Sequence, residues 1–193
     1  TTNKTDFFRE SHHFDFLLNE IFPALIRDGY TRRERKLRIW SAGCSSGEEP
    51  YSIAMTVCEA FKEERGWDIK ILATDLDTEV LMKASRGAYP SQAVTPVPIG
   101  YLSKYFERTA QGYEVDQKVR SMVTFRKLNL MEPSFPMKRS FDIIFCRNVM
   151  IYFDDETKRT LLRKFYNRLN DGGFMFVGHS ESLMYMKDIF RFL

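Results

Sequence analysis

One stretch dictates what this chain can become: Trp40-Ser41-Ala42-Gly43-Cys44-Ser45-Ser46-Gly47-Glu48-Glu49-Pro50-Tyr51. Before it, Leu37, Ile39 and Trp40 read as a short buried strand. After it, Ser52 to Phe61 places apolar residues at spacings of three and four, which is helical. Pro50 suits a helix's first turn, where its missing N–H is no loss. Strand, small-residue loop and helix form the first crossing of a nucleotide-binding sheet, where glycines let a ligand approach the backbone. Two features argue against a dinucleotide. No third glycine supports close helix–strand packing, and Glu48-Glu49 stand where a pyrophosphate would want backbone N–H groups and no anions. Carboxylates there suit a ligand with a cationic head, and S-adenosylmethionine, with its ammonium and sulfonium, is such a ligand.

Further strands follow the same rhythm. Ile69 to Thr74 predicts a second strand ending at Asp75, where a carboxylate accepts from both ribose hydroxyls. Asp77 then caps a helix from Thr78 to about Arg86. Phe141 to Cys146 is the clearest buried strand and ends in Arg147-Asn148. Asp154 to Asn170 predicts a helix stopped by Asp171-Gly172-Gly173, with Phe174 to Val177 as another strand. The region 89–123 breaks the alternation: its prolines and glycines precede Tyr105–Arg108, Gly112–Val115 and Met122–Phe125, which read as short antiparallel strands of an inserted β subdomain. Phe190–Leu193 reads as the start of a last strand. Upstream, 1–36 is a helical lead-in and linker. Thr5 or Asp6 caps a first turn, an amphipathic helix runs from about Asp6 to Asp28 with a kink or break at Pro23, and Thr31 to Lys36 is a solvated connector. The whole predicts an α/β fold, a Rossmann-like, largely parallel sheet over 37–193 with helices on both faces.

Composition narrows the class. With 193 residues and 44% hydrophobic content the chain can bury one sizeable core. A net charge of +3 is too weak to argue for nucleic acid. No run of about 18 apolar residues predicts membrane insertion. Cys44, Cys58 and Cys146 are too few and too scattered for a disulfide framework or a zinc site, and His12, His13 and His179 form no ligand cluster with them, so no metal is expected and the compartment reads as reducing.

Ligands of such sheets sit outside the carboxyl ends of the strands. Gly43 to Glu49, Asp75, Asn129-Leu130 and Arg147-Asn148-Val149 all fall there, as one pocket from separated pieces. Asn129 offers an amide to an adenine edge, Leu130 an apolar contact and a backbone N–H, and Asn148 a hydrogen bond near the ligand's reactive end.

At these residues the chain resembles the chemotaxis receptor methyltransferases, the CheR family. The resemblance lies in Thr2 to Glu10, Trp40 to Ser52, Ala73 to Asp77, Phe145 to Phe153 and Gly178 to Ser182, blocks spread over nearly the whole chain. It implies S-adenosylmethionine-dependent O-methylation of glutamates on the cytoplasmic helices of bacterial chemoreceptors, with S-adenosylhomocysteine as product and a cytoplasmic setting. It also implies cofactor contacts at Asn3, Thr5, Arg9, Glu48, Asp75, Asn129, Leu130, Asn148 and Val149, Glu48 being favoured over Glu49. Family members usually carry an N-terminal helical domain, which the resemblance leads one to expect missing from this stretch. The insert resembles the small β subdomain that grips a receptor's C-terminal pentapeptide in some members. Its turn around Thr109 to Gly112 is short and lacks Gly-x-Gly, which argues against such docking.

The expected chemistry needs positioning more than proton transfer. An acceptor glutamate, with a pKa of about 4.3, already arrives as a carboxylate at neutral pH. Arg9 is expected to orient a carboxylate, and Tyr152 or Tyr166 to line the methyl path, so Arg9 and Tyr166 are the positioning candidates. Arg9→Ala is expected to lower turnover more than cofactor binding. Rival readings are weaker. A nucleic-acid amino-methyltransferase would carry an Asn/Asp-Pro-Pro-aromatic clamp where Asn148-Val149-Met150-Ile151 stands, and a dehydrogenase lacks its glycines. The main alternative is a non-catalytic S-adenosylmethionine-sensing or receptor-binding module of the same fold.

Overall fold

The first strand, β1 (Lys36–Ala42), has one apolar residue for each side of a sheet: Leu37 and Ile39 enter one core, Trp40 and Ala42 the other. That period of two is what a strand buried on both faces requires. In the computed structural model, which describes residues 5–32, 34–181, 186–187 and 189–193, β1 is the middle of a five-stranded parallel sheet. It pairs with β2 (Asp68–Asp75) on one side, and β2 pairs in turn with β6 (Val123–Lys127). On the other side lie β7 (Phe141–Cys146) and β8 (Leu169–Val177). The order β6-β2-β1-β7-β8 reverses direction at β1, the switch point at which such sheets open a crevice.

Helices cover both faces. On one lies α3 (Glu48–Ala60), buried nearly all round because the sheet flanks it on one side and the chain's opening helices on the other. Those are α1 (His12–Phe16) and α2 (Phe22–Arg32). On the opposite face α7 (Asp155–Tyr166) brings Leu161, Leu162 and Phe165 against Trp40. The Trp40 indole N–H donates to Thr74 Oγ1 at 2.9 Å, so its burial leaves no orphaned donor. A separate antiparallel sheet, in the order β3-β5-β4, is built from β3 (Ala88–Tyr89), β4 (Phe106–Thr109) and β5 (Gly112–Val115). Between its strands and around it lie α4 (Thr78–Arg86), α5 (Ile99–Tyr105) and α6 (Gln117–Ser121). Asp77 caps α4 as expected, its Oδ1 accepting from Glu79 N at 2.8 Å.

Several local expectations are corrected. No helix starts at Thr5 or Asp6: residues 7–10 form turns, with Phe8 and Glu10 at φ +54° and +56°, and α1 begins at His12. The turn splays two adjacent rings into different partners. Phe7 packs edge-on against Tyr89 and Phe106, and Phe8 against Phe14 and Tyr101. No break falls at Pro23: helical backbone runs on from His12 to Arg32, with Pro23 in the first turn of α2. Having no N–H to give, it follows a π-helical turn, Leu17–Ile21, which widens the ladder just before it. Met122–Phe125 is no part of the antiparallel sheet, because Val123–Lys127 adds to the main sheet parallel to β2. The helix before Gly172 ends at Tyr166 rather than Asn170. Leu169 already pairs with Phe141, and an irregularity in the ladder absorbs Asn170 to Gly173. Phe190–Leu193 carries no strand.

Candidate active site

The loop after β1 is held by the strand beside it. Gly43 N and Cys44 N both donate to the Thr74 carbonyl, at 2.8 and 2.9 Å. Gly43 has φ +80°, and a Cβ there would lie 2.5 Å from Val149 Cγ2, so the glycine is required by both conformation and space. Ser45 N donates to Asp75 Oδ2 at 2.8 Å and Asp77 N to Asp75 Oδ1 at 3.0 Å. The Asp75 carboxylate thus joins the ends of β1 and β2, and each oxygen retains a lone pair for a hydroxyl. From the small antiparallel sheet, the Tyr89 hydroxyl donates to the Ser46 carbonyl at 2.7 Å.

Glu48 and Glu49 then part ways. Glu48 folds back onto Ser46, whose hydroxyl donates to its carboxylate at 2.7 Å, and burial pushes its carboxyl above the usual range. Glu49 faces β1 and β7. Its Oε1 accepts from Ser41 Oγ at 2.7 Å and its Oε2 from Arg147 Nε at 2.8 Å. Arg147 is 97% buried at its side chain and reaches further, donating from Nη1 to the Arg9 carbonyl at 2.7 Å and standing 2.9 Å from His13 Nδ1. Beside that fixed cation and out of water, His13 is pushed down to about 4, burial being the larger cause, and is neutral at physiological pH. Neutral, its Nδ1 serves as the acceptor for Arg147.

These pieces enclose a cavity of about 300 Å³ at the carboxyl ends of the strands. Of the residues expected from the sequence, Thr5, Arg9, Asp75, Asn129, Leu130, Asn148 and Val149 line it. Asn3 lies outside the described residues. Glu48 does not line the cavity; Glu49, one position on, does. Tyr166 does not line it either; it is half-exposed on α7 with its ring against Phe190, whereas Tyr152 stands at the cavity wall. Asn129 Oδ1 accepts from Met131 N at 2.9 Å, which leaves its NH₂ as the group it offers. Lys164 holds that loop from α7, donating to the carbonyls of Leu130 and Glu132 at 2.6 and 2.8 Å.

Sequence reasoning passed over two participants, Leu76 and Met131, and gave a third, Arg147, no role of its own. Arg147 was visible only as one end of a polar triplet. A guanidinium directly after a buried strand needs a carboxylate close by, and Glu49, beside Ser41 in the neighbouring strand, answers it. Leu76 and Met131 line the cavity while remaining exposed, an apolar rim no spacing rule flags. Glu10, His12 and His13 bring possible ligand atoms within 4.8 Å of one another among the described residues. The Arg147 guanidinium, bonded at His13 Nδ1 and 3.7 Å from Glu10 Oε2, makes that place hostile to a cation.

The donors suit S-adenosylmethionine. Two carboxylates of different setting, an amide and an apolar rim match an ammonium, a ribose diol and an adenine. The cavity is of the size typical for such ligands, roughly 300–1,000 Å³.

Comparison with known proteins agrees. Residues 3–193 match the family described as CheR methyltransferase, SAM binding domain. A chemotaxis protein methyltransferase of Borreliella burgdorferi is 44% identical over 191 residues, covering 98% of this chain and 68% of that protein. A probable chemotaxis protein methyltransferase of Rhizobium etli is 43% identical over 185 residues, covering 94% of this chain and 68% of the relative. Among solved structures, the DszA carbon methyltransferase is similar in fold with a TM-score of 0.51 at 15% identity, covering 86% of this chain and 35% of the other.

Proposed function

The chain belongs to the CheR methyltransferase family as its S-adenosylmethionine-binding domain, and on that premise we propose that the protein methylates glutamate side chains on the cytoplasmic part of bacterial chemoreceptors. The observation that carries the reading is the pair of carboxylates lining one cavity, Glu49 at the start of α3 and Asp75 at the end of β2. In this reading Glu49 takes the ligand's ammonium, Asp75 its ribose hydroxyls, and Asn129 with Leu130 its adenine. Thr5, Asn148 and Val149 complete the wall, and Asn3 stays an expected contact from family resemblance.

S-adenosylmethionine supplies a methyl group on a positively charged sulfur, ready for attack by an anion. The residues of this chain have four tasks beside it. Arg9, on the cavity wall, orients a carboxylate by charge-assisted hydrogen bonds. Arg147 fixes the Glu49 carboxylate and the Arg9 main chain at once, so cofactor and acceptor sides share one support. Tyr152, rather than Tyr166, is positioned at the path to the acceptor. Leu76, Val149 and Phe153 keep the site dry, which favours a reaction that merges opposite charges. No residue need remove a proton, because the acceptor is ionised at neutral pH.

No helix among the described residues is long and apolar enough to cross a membrane. The test uses the full-length protein, S-adenosylmethionine labelled in its methyl group, and a chemoreceptor cytoplasmic fragment. The expected product is label on the receptor released as methanol by base, as a carboxyl ester requires, and lost when the acceptor glutamates are replaced by alanine. Base-stable label would make the reaction an N-methylation. Cofactor binding without transfer to any receptor would leave a sensing module.

A further inference from the structure

We propose that Glu181, which the cavity does not touch, is the positioning residue that sets the Asn148–Tyr152 wall; this rests on the reading of the cavity as the S-adenosylmethionine site. Glu181 is buried, and its carboxylate accepts three backbone N–H groups: Asn148 N and Gly178 N at Oε2, 2.9 and 2.7 Å, and Met150 N at Oε1, 2.7 Å. Its own N–H returns to the Gly178 carbonyl at 2.8 Å. An ionised carboxylate is an acceptor-only group, which suits a place where three donors converge and no acceptor needs a proton.

The three bonded N–H groups belong to Asn148, which lines the cavity, to Met150, next to the lining residue Val149, and to Gly178, packed against Asn148. Asn148 lines the cavity in the left-handed region, at φ +58°, a conformation a free loop seldom keeps. Met150 opens the 3₁₀ turn Met150–Tyr152, so Glu181 caps the turn that carries Tyr152 to the cavity. Gly178 follows β8 and lies against Asn148, and a Cβ there would lie 2.6 Å from Asn148 Nδ2. On the far side, Val149 meets Gly43 of the β1 loop. Glu181 therefore clamps the β7 end to the β8 end, and the wall so held closes on the β1 loop.

The experiment is calorimetric titration of S-adenosylhomocysteine into the wild type, Glu181→Gln and Asp116→Ala, well below every unfolding midpoint. Under those conditions a loss of global stability alone leaves affinity unchanged. Glu181→Gln keeps size but turns an NH₂ toward a backbone donor. It is expected to fold and to bind on the order of 10- to 100-fold more weakly. Asp116→Ala removes the cap of α6, whose Oδ1 accepts from Lys118 N, and is expected to lower the midpoint with wild-type affinity. Wild-type affinity in Glu181→Gln, or equal losses in both variants, overturns the assignment. A wild type that folds and does not bind overturns the cavity reading beneath it. Should Glu181→Gln not fold, Glu181→Asp keeps the charge with a shorter reach and is held to the same expectation; failure of both to fold makes Glu181 a general support and also overturns the proposal.

Discussion

Glu48 and Glu49 differ by one position and have opposite surroundings, and no property of the pair in isolation separates them. Both are acidic and both sit in the first turn of α3. What separates them is the 100° rotation between successive helical residues, which turns Glu49 toward Ser41 and Arg147 and leaves Glu48 to Ser46. Which of the two carboxylates that rotation brings to the cavity depends on how α3 docks on the sheet; the sequence reading favours Glu48, and Glu49 is the one that lines the cavity. Glu49→Gln is therefore expected to weaken S-adenosylmethionine binding by about tenfold or more, in line with the loss of a charge-assisted contact, and Glu48→Gln by much less. Calorimetry on the two single variants checks this, and the reverse order would return the role to Glu48. His13 supplies a pH signature at the same scale. Its folded pKa is about 4 against an ordinary 6.5, with Arg147, His12 and Glu10 facing it. Between those values the unfolded chain binds the extra proton, so this residue's stabilisation is present above pH 6.5 and is lost as pH falls toward 4. His13→Gln is expected to flatten the fall of Tm across that window; an unchanged slope would assign the acid sensitivity elsewhere.

At the scale of elements, the strands and the main helices were legible where apolar periodicity was strong. β1, β2 and β7 carry it, as do α3 and α4, and the capping Asp77 was readable from its position alone. The misreadings occurred where tertiary pairing overrode local signal. Val123–Lys127 is short and could join either sheet, and only the exposed edge of β2 decides it. Asn170 to Gly173 reads as a stop signal, yet the chain bulges through it because Leu169 already has a partner in β7. The Phe7-Phe8 turn was masked by good helix-start residues, since the aromatic partners that split the two rings are remote in sequence. The contact between Gly43 and Val149, loops of β1 and β7, makes a sharp prediction. Gly43→Ala combines a left-handed backbone with a 2.5 Å approach and is expected to cost about 2–3 kcal/mol and most cofactor affinity. Adding Val149→Ala removes the clash but not the backbone strain, so denaturant unfolding of the double variant is expected to recover part of the loss. Full additivity of the two costs would mean the loops are not in contact.

For the whole molecule, the parallel sheet was legible from its alternating elements, and with it the meeting of four strand ends at one cavity; the order β6-β2-β1-β7-β8 was not. The way the opening segment joins that sheet was not legible. Arg147, at the end of β7, is bonded to the Arg9 carbonyl 138 positions earlier, to His13 and to Glu49. Such long-range polar closure has no local pattern. Removing the guanidinium leaves Glu49 buried without its cation, so Arg147→Met is expected to destabilise the fold by roughly 3–5 kcal/mol, read by denaturant titration. A loss under about 1 kcal/mol, the range of exposed pairs, would mean that water already reaches the pair. The central claim is that strand ends distant in sequence form one S-adenosylmethionine cavity, with Asp75 as its ribose acceptor. The most direct test is calorimetric titration of S-adenosylmethionine and S-adenosylhomocysteine into the wild type and Asp75→Ala, with circular dichroism to confirm that both are folded. The account predicts saturable one-to-one binding by the wild type and its loss in the variant; a folded wild type that binds neither ligand would contradict it.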